Sequence, residues 1–129
     1  MPLVNKVLLV DDEVHIRKYI GLVVKSAFPG VTVIDASNGH EATEIYETEK
    51  PDLVLMDINM PVRDGIETLG DLMAIDEDAV IVMLTSVSTR SAVEKASALG
   101  AAGYILKDTP REEISNSLLE LADEIFGED

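Results

Sequence analysis

The chain of 129 residues contains no cysteine and no tryptophan, and aromatic residues make up only 4% of it. The absence of cysteine excludes disulfide bonds, thiol catalysis and thiolate metal sites. No apolar run approaches the roughly 20 residues of a membrane-spanning helix. Met1 and Pro2 lead directly into the first apolar run, which leaves no room for a secretory signal. We therefore expect a soluble, cytoplasmic protein with no membrane association.

Basic residues are also scarce. The 10 Lys and Arg residues are outnumbered by 25 Asp and Glu residues, which gives a formal net charge of -15. Binding of DNA or RNA depends on clustered Lys and Arg that neutralise phosphates, and the basic residues here are scattered. We therefore expect no direct binding of nucleic acid, and we interpret the acidity as a solvated surface.

Short apolar runs alternate with amphipathic helical patterns along the whole chain. Nearly continuous apolar runs are typical of strands buried on both faces of a parallel sheet, whereas the more polar run at residues 31–36 indicates a sheet edge. The alternation predicts an α/β fold: a flavodoxin-like, doubly wound sheet of five parallel strands in the order 2-1-3-4-5, flanked by five helices. The pattern fills the chain, so we expect a single domain over residues 1–129.

Capping signatures predict where several helices begin. Three pairs have the spacing of a capping box: Asn38 with Glu41, Asp64 with Glu67, and Thr109 with Glu112. In the last of them Pro110 would occupy the first helical position. We also expect a helix to open at Ser88–Thr89 and to end at Gly100.

Four of the apolar runs end on polar residues that suit one reaction. The runs lead into Asp11 and Asp12, into Asp57, into Thr85 and into Lys107. In an open parallel sheet, ligands bind in the crevice beyond the carboxyl ends of the strands. The sequence therefore predicts that three carboxylates, a hydroxyl and an ammonium group meet at one end of the sheet.

This combination of groups suits transfer of a phosphoryl group to Asp57. Three carboxylates provide hard oxygen ligands, which prefer Mg²⁺ to zinc, and the metal would offset their mutual repulsion. Lys107 would hold one phosphoryl oxygen and the Thr85 hydroxyl another. Each residue alone also has an ordinary structural interpretation, as a loop turn, a helix cap or an edge lysine. We favour phosphoryl transfer because all five residues lie at the ends of strands that belong to one sheet.

Three segments resemble the receiver domain of two-component response regulators, the CheY-like family. They are residues 8–13 (LLVDDE), 52–65 (DLVLMDINMPVRDG) and 103–107 (GYILK). The resemblance implies that Asp57 receives a phosphoryl group from a sensor histidine kinase or a histidine phosphotransfer protein. It also implies a Mg²⁺ site, with Mn²⁺ as a possible substitute, formed by Asp11, Asp12, Asp57 and the backbone carbonyl of Asn59.

The resemblance further implies a conformational switch. Thr85 would turn toward the phosphoryl group and Tyr104 would move inward, which would remodel the fourth helix, fifth strand and fifth helix for a downstream target protein. The side chains of Asn59 and Val87 would tune the lifetime of the phosphoryl group. We expect a monomer or a phosphorylation-dependent dimer.

One departure from the family pattern follows Lys107. Most receivers have a proline there with a cis peptide bond, whereas this chain continues with Asp108 and Thr109, so we expect a trans bond. This form resembles receivers fused to LuxR-type helix-turn-helix domains, but we expect no effector or DNA-binding domain within this chain. Either it is a single-domain regulator or it is the receiver portion of a longer protein.

Two other functions remain open. A small phosphatase of the haloacid dehalogenase type also uses Asp, Thr or Ser, Lys and Mg²⁺, but that family requires a second Asp where this chain has Asn59. A receiver-shaped interaction module that never takes phosphate is the other alternative. The leading hypothesis is a signalling receiver that catalyses only its own phosphorylation and dephosphorylation. His15 and His40 are expected on solvent-facing helix positions, outside any metal site.

Overall fold

The computed structural model describes residues 4–127 and contains five strands and five helices in strict alternation. In chain order they are β1 (Lys6–Val10), α1 (Val14–Ala27), β2 (Thr32–Ala36), α2 (Gly39–Glu49), β3 (Leu53–Met56), α3 (Gly65–Ile75), β4 (Ile81–Thr85), α4 (Arg90–Ala98), β5 (Gly103–Leu106) and α5 (Arg111–Phe126). The strands form one parallel sheet in the order β2-β1-β3-β4-β5. The predicted flavodoxin-like topology is confirmed.

The core has two layers, one on each face of the sheet. Successive side chains of a strand point to opposite faces, so Val7 and Leu9 pack against α1 and α5, whereas Leu8 and Val10 pack against α2 and α3. All four side chains are buried because β1 lies inside the sheet. The apolar runs are nearly continuous for this reason. β2 lies at the edge of the sheet, as predicted, and Ala36 is its one buried residue.

Most of the predicted helix starts are confirmed. The Asn38 side chain accepts a hydrogen bond from the Glu41 N–H at 2.9 Å, and Asp64 accepts one from the Glu67 N–H at 2.9 Å. Thr89 caps α4 in the same way. Gly100 follows the end of α4 with a φ of +102°, a conformation that glycine adopts without strain.

The predicted start of α5 is wrong. The N-cap is Pro110, without a side-chain hydrogen bond, and the helix begins at Arg111. The Pro110 carbonyl accepts the N–H groups of Glu113 and Ile114, whereas the N–H of Thr109 bonds back to Leu106 at 3.1 Å. Thr109 therefore belongs to the turn after β5, one residue too early to cap the helix.

Two further structural expectations concern the backbone and the membrane. No peptide bond is cis within residues 4–127, so the bond after Lys107 is trans as expected. Among the same residues, no helix combines the length and apolar character needed to cross a membrane.

Candidate functional site

The predicted site residues meet at the carboxyl end of the sheet. Backbone hydrogen bonds continue one residue beyond the strands, since the Asp57 N–H donates to the Val10 carbonyl and the Lys107 N–H donates to the Thr85 carbonyl. The Asp11 N–H likewise donates to the Ala36 carbonyl, so the residues that follow β1, β3 and β5 are each held in register with the neighbouring strand. The hydrogen bonds of the parallel sheet, rather than a loop conformation, therefore fix the backbone positions of these residues.

The three aspartates form a compact cluster. One carboxylate oxygen from each of Asp11, Asp12 and Asp57 lies within 4.8 Å of the other two. Asp11 and Asp57 are buried, whereas Asp12 is exposed. Three hard oxygen donors at this spacing, one of them open to solvent, fit the ligand preference of Mg²⁺. The donor set is also strongly anionic, so it requires a positive charge nearby.

Lys107 provides a positive charge within this cluster. Its Nζ lies 2.6 Å from Asp11 Oδ2 and 2.8 Å from Asp57 Oδ2, and its side chain is only 15% exposed. Burial alone would lower the pKa of Lys107, but the hydrogen bonds with Asp11 and Asp57 and the charges of both outweigh it and raise the pKa. Lys107 is therefore held as a cation. The sequence predicted its proximity to Asp57 but not its bridge to Asp11.

The remaining carboxylate oxygens are held by the backbone. Asp57 Oδ1 accepts a hydrogen bond from the Ile58 N–H at 2.8 Å, and Asp11 Oδ1 accepts one from the Glu13 N–H at 2.9 Å. Within residues 4–127, every buried side-chain nitrogen or oxygen has a hydrogen-bond partner. Each buried carboxylate thus has one oxygen fixed by an N–H and the other facing Lys107.

The loop after β3 packs closely beneath Asp57. The Gly65 N–H donates to the Ile58 carbonyl at 2.8 Å, and a Cβ at position 65 would lie 2.0 Å from the Asp57 carbonyl oxygen. Only glycine allows so close an approach of the two backbones. Asn59 is exposed at the start of this loop, next to the aspartate cluster in sequence.

Thr85, Val87 and Tyr104 are connected at the end of β4. The Thr85 side chain is fully buried, and its hydroxyl oxygen accepts the Val87 N–H at 3.3 Å. The Tyr104 hydroxyl donates to the Val87 carbonyl. Burial, and then the charge of Asp57, raise the pKa of Tyr104. Val87 therefore links the hydroxyl and the aromatic ring through its own peptide groups, a connection that side-chain patterns did not reveal.

Arg17 is a further contact of the site that the sequence interpretation missed. Its guanidinium donates to the Asp11 carbonyl and lies 3.4 Å from Asp35 on β2, and the side chain is only 13% exposed. The sequence signal that could have revealed this contact is the position of Arg17, six residues after Asp11 on a helix that packs against β1. His15 and His40 are exposed, as expected, and neither belongs to the aspartate cluster.

Comparison with known proteins identifies the family. A family profile described as the response regulator receiver domain matches residues 7–119. The chain belongs to this family. It is 38% identical over 114 residues to the chemotaxis protein CheY of Halobacterium salinarum, covering 88% of this chain and 93% of that protein. The receiver is thus a signalling domain of the two-component type, not a conventional enzyme, and its family sets aside the phosphatase alternative.

Solved receiver structures carry the same fold. The CheX–CheY–BeF3–Mg²⁺ complex from Borrelia burgdorferi matches with a TM-score of 0.83 at 30% identity, covering 95% of this chain and 89% of that chain. The response regulator TrrA of Thermotoga maritima, in complex with Mg²⁺ and beryllium fluoride, matches with a TM-score of 0.80 at 30% identity, covering 91% and 98%. Receiver domains bind Mg²⁺ in an acidic pocket, and the aspartate cluster of this chain has the donors for it.

Proposed function

We propose that this receiver is a phosphorylation-dependent signalling switch in which Asp57 accepts a phosphoryl group from a sensor histidine kinase or a histidine phosphotransfer protein. The observation that carries the proposal is the arrangement of Asp11, Asp12 and Asp57 around the ammonium group of Lys107. A conventional surface cluster of acids would be exposed, whereas two of these carboxylates are buried and paired with one half-buried cation.

The transfer itself replaces one bond to phosphorus by another. The phosphorus–nitrogen bond of the donor phosphohistidine breaks, a carboxylate oxygen of Asp57 bonds to phosphorus, and the imidazole leaves with the bonding electrons. The Ile58 N–H holds Oδ1 of Asp57 in place during attack, and Lys107 pairs with Oδ2. Once the acyl phosphate has formed, Lys107 would pair with a phosphoryl oxygen.

A divalent cation suits this site because both the donor and the acceptor are anionic. Asp11, Asp12, Asp57 and the backbone carbonyl of Asn59 would hold Mg²⁺ or Mn²⁺, which supplies neutralisation of the charge on the phosphoryl oxygens. The Glu13 N–H fixes one oxygen of Asp11, and Arg17 donates to its backbone carbonyl, so this ligand is held from two sides.

The relay would begin at Thr85. A new phosphoryl dianion attracts the Thr85 hydroxyl as a donor, which removes the acceptor of the Val87 N–H. Tyr104 would move inward and release the Val87 carbonyl. Since Ala96 is the one buried residue of α4, this helix can shift at a small cost in packing. The changed surface of α4, β5 and α5 would bind a downstream target or a second receiver.

The lifetime of the phosphoryl group would depend on two side chains near the acceptor. Asn59 follows Asp57 by two residues and is exposed, so it lies on the side from which water approaches. Val87 follows Thr85 by two residues and is half-buried. We propose that both tune hydrolysis without taking part in transfer.

Intact mass measurement after incubation with a small acyl-phosphate donor and Mg²⁺ tests the proposal. The wild type should gain one phosphoryl adduct, and the Asp57→Asn variant should gain none. Asp108→Asn is a matched control because it makes the same chemical change at an exposed position next to Lys107, and it should still gain the adduct. Omission of Mg²⁺ should slow the reaction strongly.

Two results would contradict the switch. Steady hydrolysis of a small phosphate ester without an adduct would restore the phosphatase alternative. Failure of both reactions, with Mg²⁺ present, would leave the interaction module that never takes phosphate.

A further inference from the structure

The loop of residues 59–64 between β3 and α3 is fixed at several points. The Gly65 N–H bond to the Ile58 carbonyl closes its base at 2.8 Å. Met60 anchors it from within, since this side chain is 9% exposed and packs in the core layer against α2 and α3. Asn59 itself is exposed. The position of its backbone carbonyl is therefore set by the neighbours along the loop.

The tip of this loop has a strained backbone. Val62 has a φ of +70°, in the left-handed region that a β-branched residue rarely adopts, and its side chain is 83% exposed. The Arg63 N–H donates to the Pro61 carbonyl at 2.7 Å, which closes a three-residue γ-turn around Val62. No burial of Val62 compensates for the strain. Such a conformation persists only when the surrounding structure enforces it.

The side chain of Arg63 supplies that constraint. Its Nε lies 2.6 Å from Asp71 Oδ2 and its Nη2 lies 2.9 Å from Asp71 Oδ1, a bidentate pair with a residue two turns into α3. A third bond joins Nη1 to Glu67 at 3.1 Å. The backbone of Arg63 is also confined, because a Cβ at Gly39 of α2 would lie only 3.2 Å from the Arg63 carbonyl oxygen.

These contacts connect α3 with the metal end of the site. Without the pair between Arg63 and Asp71, Val62 can relax to a negative φ, which changes the course of the chain on both sides of the turn. The carbonyl of Asn59 lies three residues before Val62, and the side chain of Asn59 is exposed. We propose that Arg63 is a positioning residue for the magnesium site: its bidentate pair with Asp71 keeps the strained turn in place and so holds the Asn59 carbonyl ready to bind the ion. This inference rests on the proposed function, because it takes the Asn59 carbonyl as a ligand.

Titration of the apo protein with Mg²⁺ by calorimetry tests the inference without measuring phosphorylation. Arg63→Met and Asp71→Asn should each raise the Kd for Mg²⁺ about three- to fivefold, because re-forming the strained turn costs at most what the half-exposed pair contributed. The double variant should be no weaker than either single one, because both changes break the same pair. The Kd of Arg63→Lys should lie between those of the wild type and Arg63→Met, since an ammonium group cannot form the bidentate pair.

Two controls separate positioning from general stability. Glu67→Gln removes the charge of the third partner of Arg63 but keeps the bidentate pair, and Arg90→Met removes an exposed pair with Glu94 on α4. Both should bind Mg²⁺ within twofold of wild type. Val62→Gly, introduced into Arg63→Met, should recover part of the lost affinity, because glycine adopts a positive φ without the constraint.

The outcomes are distinguishable. If Arg63→Met and Asp71→Asn lower the thermal midpoint but bind Mg²⁺ within twofold of wild type, the pair is structural only and the inference is wrong. If Val62→Gly recovers stability but not affinity, the turn does not transmit the effect and the inference is equally wrong. If the wild type itself does not bind Mg²⁺, the proposed function fails instead.

Discussion

Helices α3 and α4 follow β3, which leads into Asp57, and β4, which ends at Thr85, yet the two helices are held very differently. Four residues of α3 are buried: Gly65, Thr68, Leu69 and Leu72. Ala96 is the one buried residue of α4. The approach to α3 is held by a side-chain cap, by the backbone contact below Asp57 and by the bidentate Arg63 pair. The approach to α4 is held by the Thr89 cap and by the bonds of Val87 to the Thr85 and Tyr104 hydroxyls, the two bonds that the proposed relay would break.

This difference separates two requirements of a switch. In the proposed switch, the carboxylate that accepts the phosphoryl group needs the metal ligands in place beforehand, and the firmly held α3 would provide this. A group that must report the event needs a neighbour that moves at low cost, and a weakly packed α4 provides that. The two halves of the site therefore differ in stability although they lie on adjacent strands.

The largest expected difference comes from truncating one apolar side chain in each helix. Leu72→Ala should lower the free energy of unfolding by about 3 kcal/mol, because Leu72 is fully buried and its loss leaves a cavity. Val93→Ala in α4 should cost less than about 1 kcal/mol, because Val93 is 38% exposed. Urea denaturation measures both. Equal losses would contradict the contrast between the helices.

Glycine substitutions within α3 should have opposite signs. Gly65→Ala should destabilise the protein by about 2 kcal/mol, because its Cβ would lie 2.0 Å from the Asp57 carbonyl oxygen. Gly70→Ala is the matched control, since nothing lies within 4 Å of a Cβ there. It should stabilise the helix by about 0.5–1 kcal/mol. Chemical denaturation would reveal a loss at position 70 if α3 were packed more tightly on its outer side.

Loss of the Thr89 cap should affect α4 alone. Thr89→Ala removes the acceptor of the Ala92 N–H and should lower the local stability of α4 by about 1 kcal/mol. Hydrogen exchange should show faster exchange in α4 with α3 unchanged, and Ser91→Ala, at an exposed position of the same helix, serves as the control. Faster exchange throughout the protein would mean that α4 unfolds only with the whole domain.

The smallest expected effect is a dependence of stability on acid. The hydrogen bonds from Arg63 hold the pKa of the Asp71 carboxyl below its ordinary value. The pair therefore contributes fully above the unfolded pKa of about 3.9, and the contribution is lost as the pH falls through the lower pKa of the folded state. With both side chains 34% exposed, solvent screens the pair and the contribution should be the smallest of those considered. The difference in unfolding free energy between wild type and Asp71→Asn should be constant from pH 7 to 5 and shrink below pH 4. A difference that grows in acid would contradict this assignment.

The parallel sheet was predictable because strands buried on both faces appear in the sequence as nearly continuous apolar runs. Runs such as residues 53–56 contain no polar residue, and each is followed by one that suits the site. The capping pairs at Asn38 and Asp64 were predictable because both partners are close in sequence. The predicted cap at Thr109 was wrong because the same residues also fit a turn. Only the hydrogen bond from the Thr109 N–H to the Leu106 carbonyl distinguishes the turn from a helix cap.

The contacts that the sequence did not reveal join groups far apart or use the backbone. Arg63 and Asp71 are eight positions apart in sequence. Because Arg63 precedes α3 and only Asp71 lies in the helix, helical spacing does not predict their pairing. The bonds of Val87 to Thr85 and Tyr104 use peptide groups, which every residue has. Lys107 was expected to contact phosphate, and its contact with Asp11 follows only from the geometry at the end of the sheet.

The hydrogen bond of Tyr104 has a practical consequence for spectroscopy. With three tyrosines and no tryptophan, the protein owes its intrinsic fluorescence to tyrosine. Tyr46 donates to Asp76 at 2.8 Å, Tyr19 is 39% exposed, and Tyr104 donates to the Val87 carbonyl. In the proposed relay, release of that carbonyl would alter the emission of one of the three tyrosines. A variant with Phe at positions 19 and 46 would turn Tyr104 into a single optical probe, readable in the unlabelled protein and in real time.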